Sequence, residues 1–402
     1  MATHRPLEGF RILSAEQYGA GPYGSMLLAD LGAEVIKIEN PSDGGDVSRQ
    51  TGPFFLGDDP AQPDSLFFQT FNRNKKSLRL DLKKPEGQAV LRRVAATCDA
   101  VMNNLRGDQP ARLGLTYEAL SPVKPTLVCA HLSAYGRDNH RTTWPGYDYL
   151  MQAEAGYMHL TGEPEGMPTR MGLSMVDFMT GTTTAMALLA GILGALRSGR
   201  GCDLDISLFD VALTQLSYPA TWFLNEGHTV ERRPRSGHPS VVPCELLPTA
   251  DGWVFVMCMT PKFWQALARG IGREDLLADP RFADVSQRRE HREALMTILD
   301  GVFRVRSSAQ WMAQLGGQLP IAPVLDLPAA LNNPYAAQVG MIQHLPHRSL
   351  THQRVLASPV KVNGQRLPGQ ACSALGADTE SVLRSAGYSD SDIQQLQEGR
   401  VV

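Results

Sequence analysis

The first half of the chain alternates short apolar runs with polar turns, the spacing expected of strands separated by helices. Phe10-Arg11-Ile12-Leu13 reads as a strand. Gly19-Ala20-Gly21-Pro22-Tyr23-Gly24 then leads into a helix, in which Pro22 suits an early position, Leu27, Leu28 and Leu31 form an apolar stripe, and Gly32 marks the end. Val35 to Glu39 is a second strand, so the chain opens β-α-β. A short strand at Leu78 to Leu82, a helix at Pro85 to Ala96, and strands at Ala100 to Met102 and Leu127 to His131 continue the pattern. Strand ends followed by polar turns and helices predict an α/β fold with a doubly wound sheet, whose ligands bind beyond the carboxyl ends of the strands. Tyr149 to Ala155 is helical in pattern, Cys202 to Leu208 alternates as a strand, and Ala212 to Asn225 reads as one mixed aromatic helix.

The longest apolar segment begins at a carboxylate. Asp177 precedes a run from Phe178 to Leu196 that carries no formal charge and contains Gly181, Gly191 and Gly194. Glycines there permit close helix packing despite their entropic cost. Bracketed by Asp177 and Arg197 and interrupted by Thr182-Thr183-Thr184, the run reads as a buried helix rather than a membrane span. Asp177 itself has two readings: an N-cap that accepts first-turn amides, or a catalytic carboxylate.

Composition shifts at Thr229 to Pro243, a charged, proline-rich link. Beyond it, Asp251-Gly252 predicts a strand–turn–strand, followed by helices at Pro261 to Ala268, Glu290 to Phe303 and Ala309 to Leu315. The expected organisation is a large domain over 1–229, a smaller α+β domain over 230–325, and completion of the large domain by 326–402. In the tail, Val355 and Val360 to Val362 carry modest strand signals. Helices follow at Thr379 to Ser385 and Asp390 to Gln397, the second opened by a Ser389/Asp392 capping box. A polar surface stretch with a Gly57-Asp58-Asp59-Pro60 turn separates the second and third strands.

At 402 residues the chain can bury more than one core, and a net charge of -3 offers no global attraction for nucleic acid or an anionic membrane. Six dispersed cysteines without a CxxC unit argue against disulfides and structural zinc, and suit a reducing compartment. The N-terminus has no apolar signal-peptide core, so the expected location is the cytoplasm. No HExxH, GKS/T or GxSxG motif is present and the histidines are scattered, so no metal is expected. Gly19, Gly21 and Gly24 match GxGxxG with Glu39 at the next strand end, which admits a dinucleotide oxidoreductase. Arg73, Lys75 and Lys76 form a basic cluster, either a solvated face or a place for phosphates.

The segments AGPYGSMLLADLGAEVIKIENPSDGGD, NRNKKSLRLDLKKPEGQ, GYDYLMQAEAGYMHLTGEPEG, VDFMTG and LRSGRGCDLDISLFD, followed by DGWVF, IAPV and GYSDSDIQQL, occur in order along nearly the whole chain. On these it resembles the family III CoA-transferases, the group of formyl-CoA transferase and the carnitine and bile-acid CoA-transferases. The resemblance implies a Rossmann-like large domain with a smaller α+β domain in an interlocked homodimer. It also implies transfer of CoA from an acyl-CoA, with succinyl-CoA the default donor, to a free carboxylic acid, with no tightly bound cofactor. Asp177, followed by Gly181, takes the place of the family nucleophile, which forms an aspartyl anhydride and then an aspartyl-CoA thioester. Family CoA contacts fall on Gly19, Ala20, Asn40, Leu80 to Lys83, Asn104, Leu105, Arg106 and Arg112. Gln17, Tyr18, Tyr147 and Asp148 fall in the substrate pocket. Related racemases carry His-Asp where this chain has Tyr147-Asp148. Tyrosine, with a reference pKa near 10, replaces a histidine acid/base poorly, so α-methylacyl-CoA racemization is the lesser alternative, beside an idle acyl-CoA-binding protein. Formyl-CoA transferase has a loop of consecutive glycines where Arg235 to Pro239 here has one, which implies a different closure and disfavours formate and oxalate. Asp177 is expected to be ionised at neutral pH, needing orientation and desolvation more than deprotonation.

Overall fold

The computed structural model describes residues 4–57 and 64–402, so residues 58–60 of the expected Gly57–Pro60 turn lie outside the described residues. One compact unit comprises Met1–Ala155, Gly172–Ser217 and Tyr335–Val402; the other comprises Gly156–Met171 and Tyr218–Pro334. Gly156–Met171 and residues 218–229 of the expected large domain, and residues 326–334 of its expected completion, therefore fall in the second unit.

The first unit is built on six parallel strands: β1 (Arg11–Ala15), β2 (Glu34–Glu39), β3 (Lys75–Arg79), β4 (Ala100–Asn103), β5 (Val128–Ser133) and β6 (Cys202–Ser207). Their spatial order is 3-2-1-4-5-6, the doubly wound arrangement. Helices α1 (Ala20–Asp30), α2 (Pro85–Ala95), α3 (Asp148–Glu154), α4 (Met175–Ser198), α5 (Thr379–Ser385) and α6 (Asp390–Glu398) complete the layers. Alternation along each strand sends Ile12, Val35, Met102 and Val128 to one face, where they pack with Leu28 of α1 and Leu188 and Ile192 of α4. Leu13, Ile36, Leu78 and Val101 go to the other, against Val90 of α2, Val382 of α5 and Ile393 of α6. The Ser389/Asp392 capping box opens α6 as its sequence predicts. Strand order reverses between β1 and β4, so the crevice beyond their carboxyl ends falls between Gln17–Ala20 and Asn104–Arg106.

α4 buries one stripe, Val176, Thr180, Gly181, Thr184, Leu188, Ile192 and Ala195, and exposes Met186, Leu193 and Leu196 on the opposite side. It is long and apolar enough to cross a membrane by length and composition, and only the stripe is buried. A Cβ at Gly181 would collide with Ala20 O and come within 3.0 Å of Gly24 N of α1, and one at Gly191 would collide with Val128, whereas one at Gly194 would meet nothing within 4 Å among the described residues, so close packing accounts for two of the three glycines.

Several boundaries differ from the sequence pattern for identifiable reasons. β3 begins at Lys75 rather than Leu78, because Lys75 points inward and is neutralised there by Glu16. The segment 212–225 breaks into Leu208–Thr214 and Ser217–Glu226, with Ser217 in the left-handed region at φ 49. Val355 belongs to a hairpin of Ile342–His347 and Leu350–Leu356, while Val360 to Val362 forms no strand.

The second unit contains the antiparallel sheet β7 (Cys244–Pro248), β8 (Trp253–Met257) and β9 (Ile321–Pro323), with Asp251-Gly252 at the first turn. Its core gathers Trp264, Phe282, Phe303 and Trp311. The guanidinium of Arg232 explains why Gly156–Met171 joins this unit: it donates to the carbonyls of His159 at 2.5 Å and Gly166 at 2.7 Å, closing that loop upon itself. The Arg235–Pro239 loop is pinned as well, by Arg235 to Asp300 at 2.5 and 2.7 Å and by Arg292 to His238 O at 2.5 Å.

Candidate active site

Asp177 is the third residue of α4, after Ser174 as N-cap, so it is not itself the cap. Ser174 makes no side-chain capping bond; instead Asp148, in the first turn of α3, reaches across and its Oδ2 accepts the Asp177 N–H at 2.9 Å. Gln152, one turn along α3, donates to Asp148 Oδ1 at 2.6 Å and fixes the rotamer. Asp148 is buried, so a carboxylate from another helix both satisfies a first-turn amide of α4 and positions the backbone of Asp177.

The Asp177 carboxylate is half-buried and, among the described residues, accepts no hydrogen bond. Burial, with a smaller push from the nearby Asp148 charge, raises its pKa to about 7. The expectation of a fully ionised group at neutral pH is therefore corrected, since sequence alone supplies neither cause. A Cβ at Gly19 would lie 2.7 Å from Asp177 Oδ2, so glycine is what lets the β1–α1 loop approach the acid. α1 starts at Ala20 with no side-chain cap on Gly19, which leaves first-turn amides at this spot.

These groups border a cavity of about 220 Å³ lined by Gln17, Tyr18, Gly19, Ala20, Asn104, Leu105, Arg106, Tyr147 and Asp177. Asn104 holds the loop in place twice over: its Oδ1 accepts Gln17 N–H at 2.8 Å and its Nδ2 donates to Gln17 O at 2.7 Å. Tyr18 sits in the left-handed region at φ 70, with its N–H on Asp46 Oδ1 at 3.1 Å and its ring 6.3 Å from that of Tyr147. A second cavity of about 430 Å³ shares Gln17, Val47 and Leu105 with the first, and takes in Asn40, Leu80 and Lys83. Its wall is largely apolar, with Ile38, Leu82 and Leu113. Arg106 ion-pairs with Asp108 at 2.5 Å, and Arg112, which lies outside both cavities, reaches the same acid at 3.2 Å. Trp144, Pro145 and Gly146 also line the first cavity; the tryptophan in a polar loop next to Tyr147 was the available sequence signal for them.

Two sequence readings fail against this geometry. The basic cluster does not face phosphates: Arg73 is buried in a bidentate pair with Asp30 at 2.9 and 2.6 Å, and Lys75 lies against Glu16 at 2.8 Å. Burial lowers Lys75 to about 8 despite the opposing pull of Glu16. Neither is a solvated face; only Lys76, paired with Glu34 at 2.5 Å, is exposed in part. The GxGxxG reading also fails. Glu39 is buried and already engaged by Arg49 at 2.7 and 2.7 Å, by Ser77 Oγ at 2.6 Å and by Asp46 N–H at 3.0 Å, leaving nothing for a ribose. Gly21 faces Asn104 and Gly24 faces Gly181, so the three glycines serve close packing around Asp177 rather than a pyrophosphate.

The model of CoA-transferase family III matches residues 7–379. The chain is 35% identical over 295 residues to succinate–glutarate CoA-transferase of Agrobacterium fabrum, covering 73% of each protein. It is 29% identical to succinyl-CoA:glutarate CoA-transferase of Homo sapiens, over 100% of this chain and 91% of that one. Among solved structures, a CaiB/BaiF family protein from Brucella suis superposes with a TM-score of 0.82 at 27% identity, covering 96% of this chain and all of the other.

Proposed function

We propose, from the premise that this chain belongs to CoA-transferase family III and is a CoA-transferase, that it moves CoA from succinyl-CoA to a free dicarboxylic acid of the glutarate type through Asp177. The observation that carries the nucleophile is the carboxylate itself: half-buried, accepting no hydrogen bond among the described residues, lining a cavity and held to a pKa of about 7. The names of the Agrobacterium fabrum and Homo sapiens relatives support the acid pair.

In the proposed sequence an Asp177 oxygen attacks the thioester carbonyl and the C–S bond breaks, giving an acyl-aspartyl anhydride and CoA thiolate. The thiolate attacks the aspartyl carbonyl, releasing the donor acid and leaving an aspartyl-CoA thioester. The acceptor carboxylate then attacks that thioester and the C–S bond breaks, giving an acceptor-aspartyl anhydride and free thiolate; the thiolate attacks the acceptor's carbonyl, whose C–O bond to the aspartate breaks, releasing the acceptor's CoA thioester and regenerating Asp177. The first-turn amides of α1 are donors for the oxyanion that forms at each attack. The apolar second cavity suits adenine, and Arg106 stands where a carboxylate or phosphate enters.

A coupled assay with succinyl-CoA and glutarate tests the acid pair, and exchange confined to other donors or acceptors would refute it. The same assay gives a pH prediction. The attacking form is the carboxylate, so kcat/KM rises with pH through one ionisation near pH 7 and is level above it. Asp148→Asn (D148N) removes the repelling charge while its amide oxygen can still accept the Asp177 N–H; the midpoint then moves to lower pH. A profile flat from acid to neutral pH in the parent protein would contradict the assignment.

The proposal includes an interlocked homodimer in the cytoplasm. Exposed Met186, Leu193 and Leu196 on α4 support a second copy, and six free cysteines suit a reducing compartment.

A further inference from the structure

Four consecutive residues, Gln17 to Ala20, line the Asp177 cavity, and lysines from two strands of the sheet grip the main chain on either side of them. Lys37 of β2 donates its Nζ to Glu16 O at 3.0 Å, just before the loop. Lys75 of β3 donates to Pro22 O at 2.9 Å, just after it. Both lysines are buried, and so are the acids that face them, Glu16 and Asp46. Lys75 Nζ lies 2.8 Å from Glu16 Oε1, and Lys37 Nζ lies 2.7 Å from Asp46 Oδ2. Asp46 passes the restraint on, because its other oxygen accepts the Tyr18 N–H at 3.1 Å. Ser25 Oγ donates to Glu16 Oε1 at 2.6 Å and ties that acid to α1.

Stability alone does not account for this cluster. Desolvating a buried ion pair can cost as much as the attraction returns, and well-packed apolar side chains of similar volume often serve as well. The geometry bears on position instead. Tyr18 sits at φ 70, unfavourable for a bulky residue, and such a conformation persists only where its surroundings fix it. Gly19 follows at once, with room for no Cβ beside Asp177 Oδ2. The two anchored carbonyls therefore bracket the strained residue, the close approach to the acid and the start of α1 at Ala20.

We propose that Lys37 and Lys75 are positioning residues for the transfer, clamping the Gln17–Gly21 main chain so that the first-turn amides of α1 stay aimed at the oxyanion formed beside Asp177. This rests on the Asp177 reading and extends it to two side chains that do not line the acid's cavity.

The double variant Glu16→Gln, Lys75→Met (E16Q/K75M) tests the clamp in the full-length protein. It removes one acid and one base together, so Lys37 keeps Asp46 and Ser25 keeps an acceptor, while Pro22 O loses its lysine. The urea midpoint is expected to stay near that of the parent. Turnover of succinyl-CoA with glutarate is expected to slow about 10²-fold, the scale of a displaced oxyanion donor, with the loss in kcat more than in KM. Amide hydrogen exchange across Gln17–Tyr23 speeds up. Lys76→Met (K76M), which removes the outward lysine of the same strand, keeps the parent kcat. A parent-like kcat in the double variant, or a loss confined to KM, overturns the assignment. So does a double variant that is unfolded without urea, since the cluster would then hold the fold and not the loop. No turnover by the parent protein, or turnover that survives D177N, removes the Asp177 reading and this inference with it; an inactive D177N beside a fully active double variant removes this inference alone.

Discussion

Asp177→Asn (D177N) is expected to lower CoA exchange by at least about 10⁴-fold, the scale of losing a covalent nucleophile, while making the protein more stable in mildly alkaline solution. The two effects have one cause. Burial and Asp148 hold the acid to a pKa of about 7, above its ordinary 3.8. Because the folded pKa is raised, the protonated form favours folding. That contribution is complete below the ordinary value and is lost as pH climbs toward 7. Above that point the native state carries a poorly solvated charge costing at most about 4 kcal/mol, less whatever the exposed part of the group recovers from water. The neutral amide removes this cost, keeps its backbone N–H on Asp148, and cannot attack a thioester. Urea denaturation should show the variant and the parent converging at acid pH and the variant more stable at alkaline pH. Equal stability across that range would mean that Asp177 is not electrostatically strained.

Gly181→Val (G181V) is expected to destabilise the first unit by about 3 to 5 kcal/mol. A Cβ at this position collides with Ala20 O and comes within 3.0 Å of Gly24 N, and both are backbone atoms of α1 that no rotamer change can move aside. The helices must separate, and α1 carries the Gly19 loop away from Asp177 as they do. Gly194→Ala (G194A), on the same helix with nothing within 4 Å, is the control. It should gain up to about 1 kcal/mol from helix propensity alone. Equal effects at the two positions, by urea denaturation, would dismiss close packing of α1 on α4 as the reason for Gly181.

What the sequence disclosed and what it hid divide along the distance between partners. The opening β-α-β, the Ser389/Asp392 capping box and the strand–turn–strand at Asp251-Gly252 depend on residues a few positions apart, so periodicity and turn chemistry find them. The nature of Arg73 and Lys75 depends on Asp30 and Glu16, which sit in earlier elements; without those partners a basic run reads as solvated or phosphate-seeking. The same holds for the glycines of the first loop. Spacing matched a dinucleotide fingerprint, but their purpose is set by Asp177, Asn104 and Gly181 across the fold. Asp177 was legible as a carboxylate at a helix start, and resemblance implied its role. Its cap, Asp148, and its raised pKa follow only from what the fold packs around it. Most of the expected contact residues do converge on two adjoining cavities, whereas Arg112 and Asp148 line neither.

The central claim is that Asp177 passes through covalent intermediates, and oxygen bookkeeping tests it directly. In the proposed sequence the acceptor acid leaves one of its carboxylate oxygens on the aspartate when the thiolate returns. Turnover of succinyl-CoA with glutarate labelled in both carboxylates with heavy oxygen, followed by proteolysis and mass spectrometry of the peptide bearing Asp177, reads that transfer. The account predicts heavy oxygen in the side chain of Asp177 and, after further turnover, in the released succinate. Continued formation of glutaryl-CoA with no label in that peptide would contradict it.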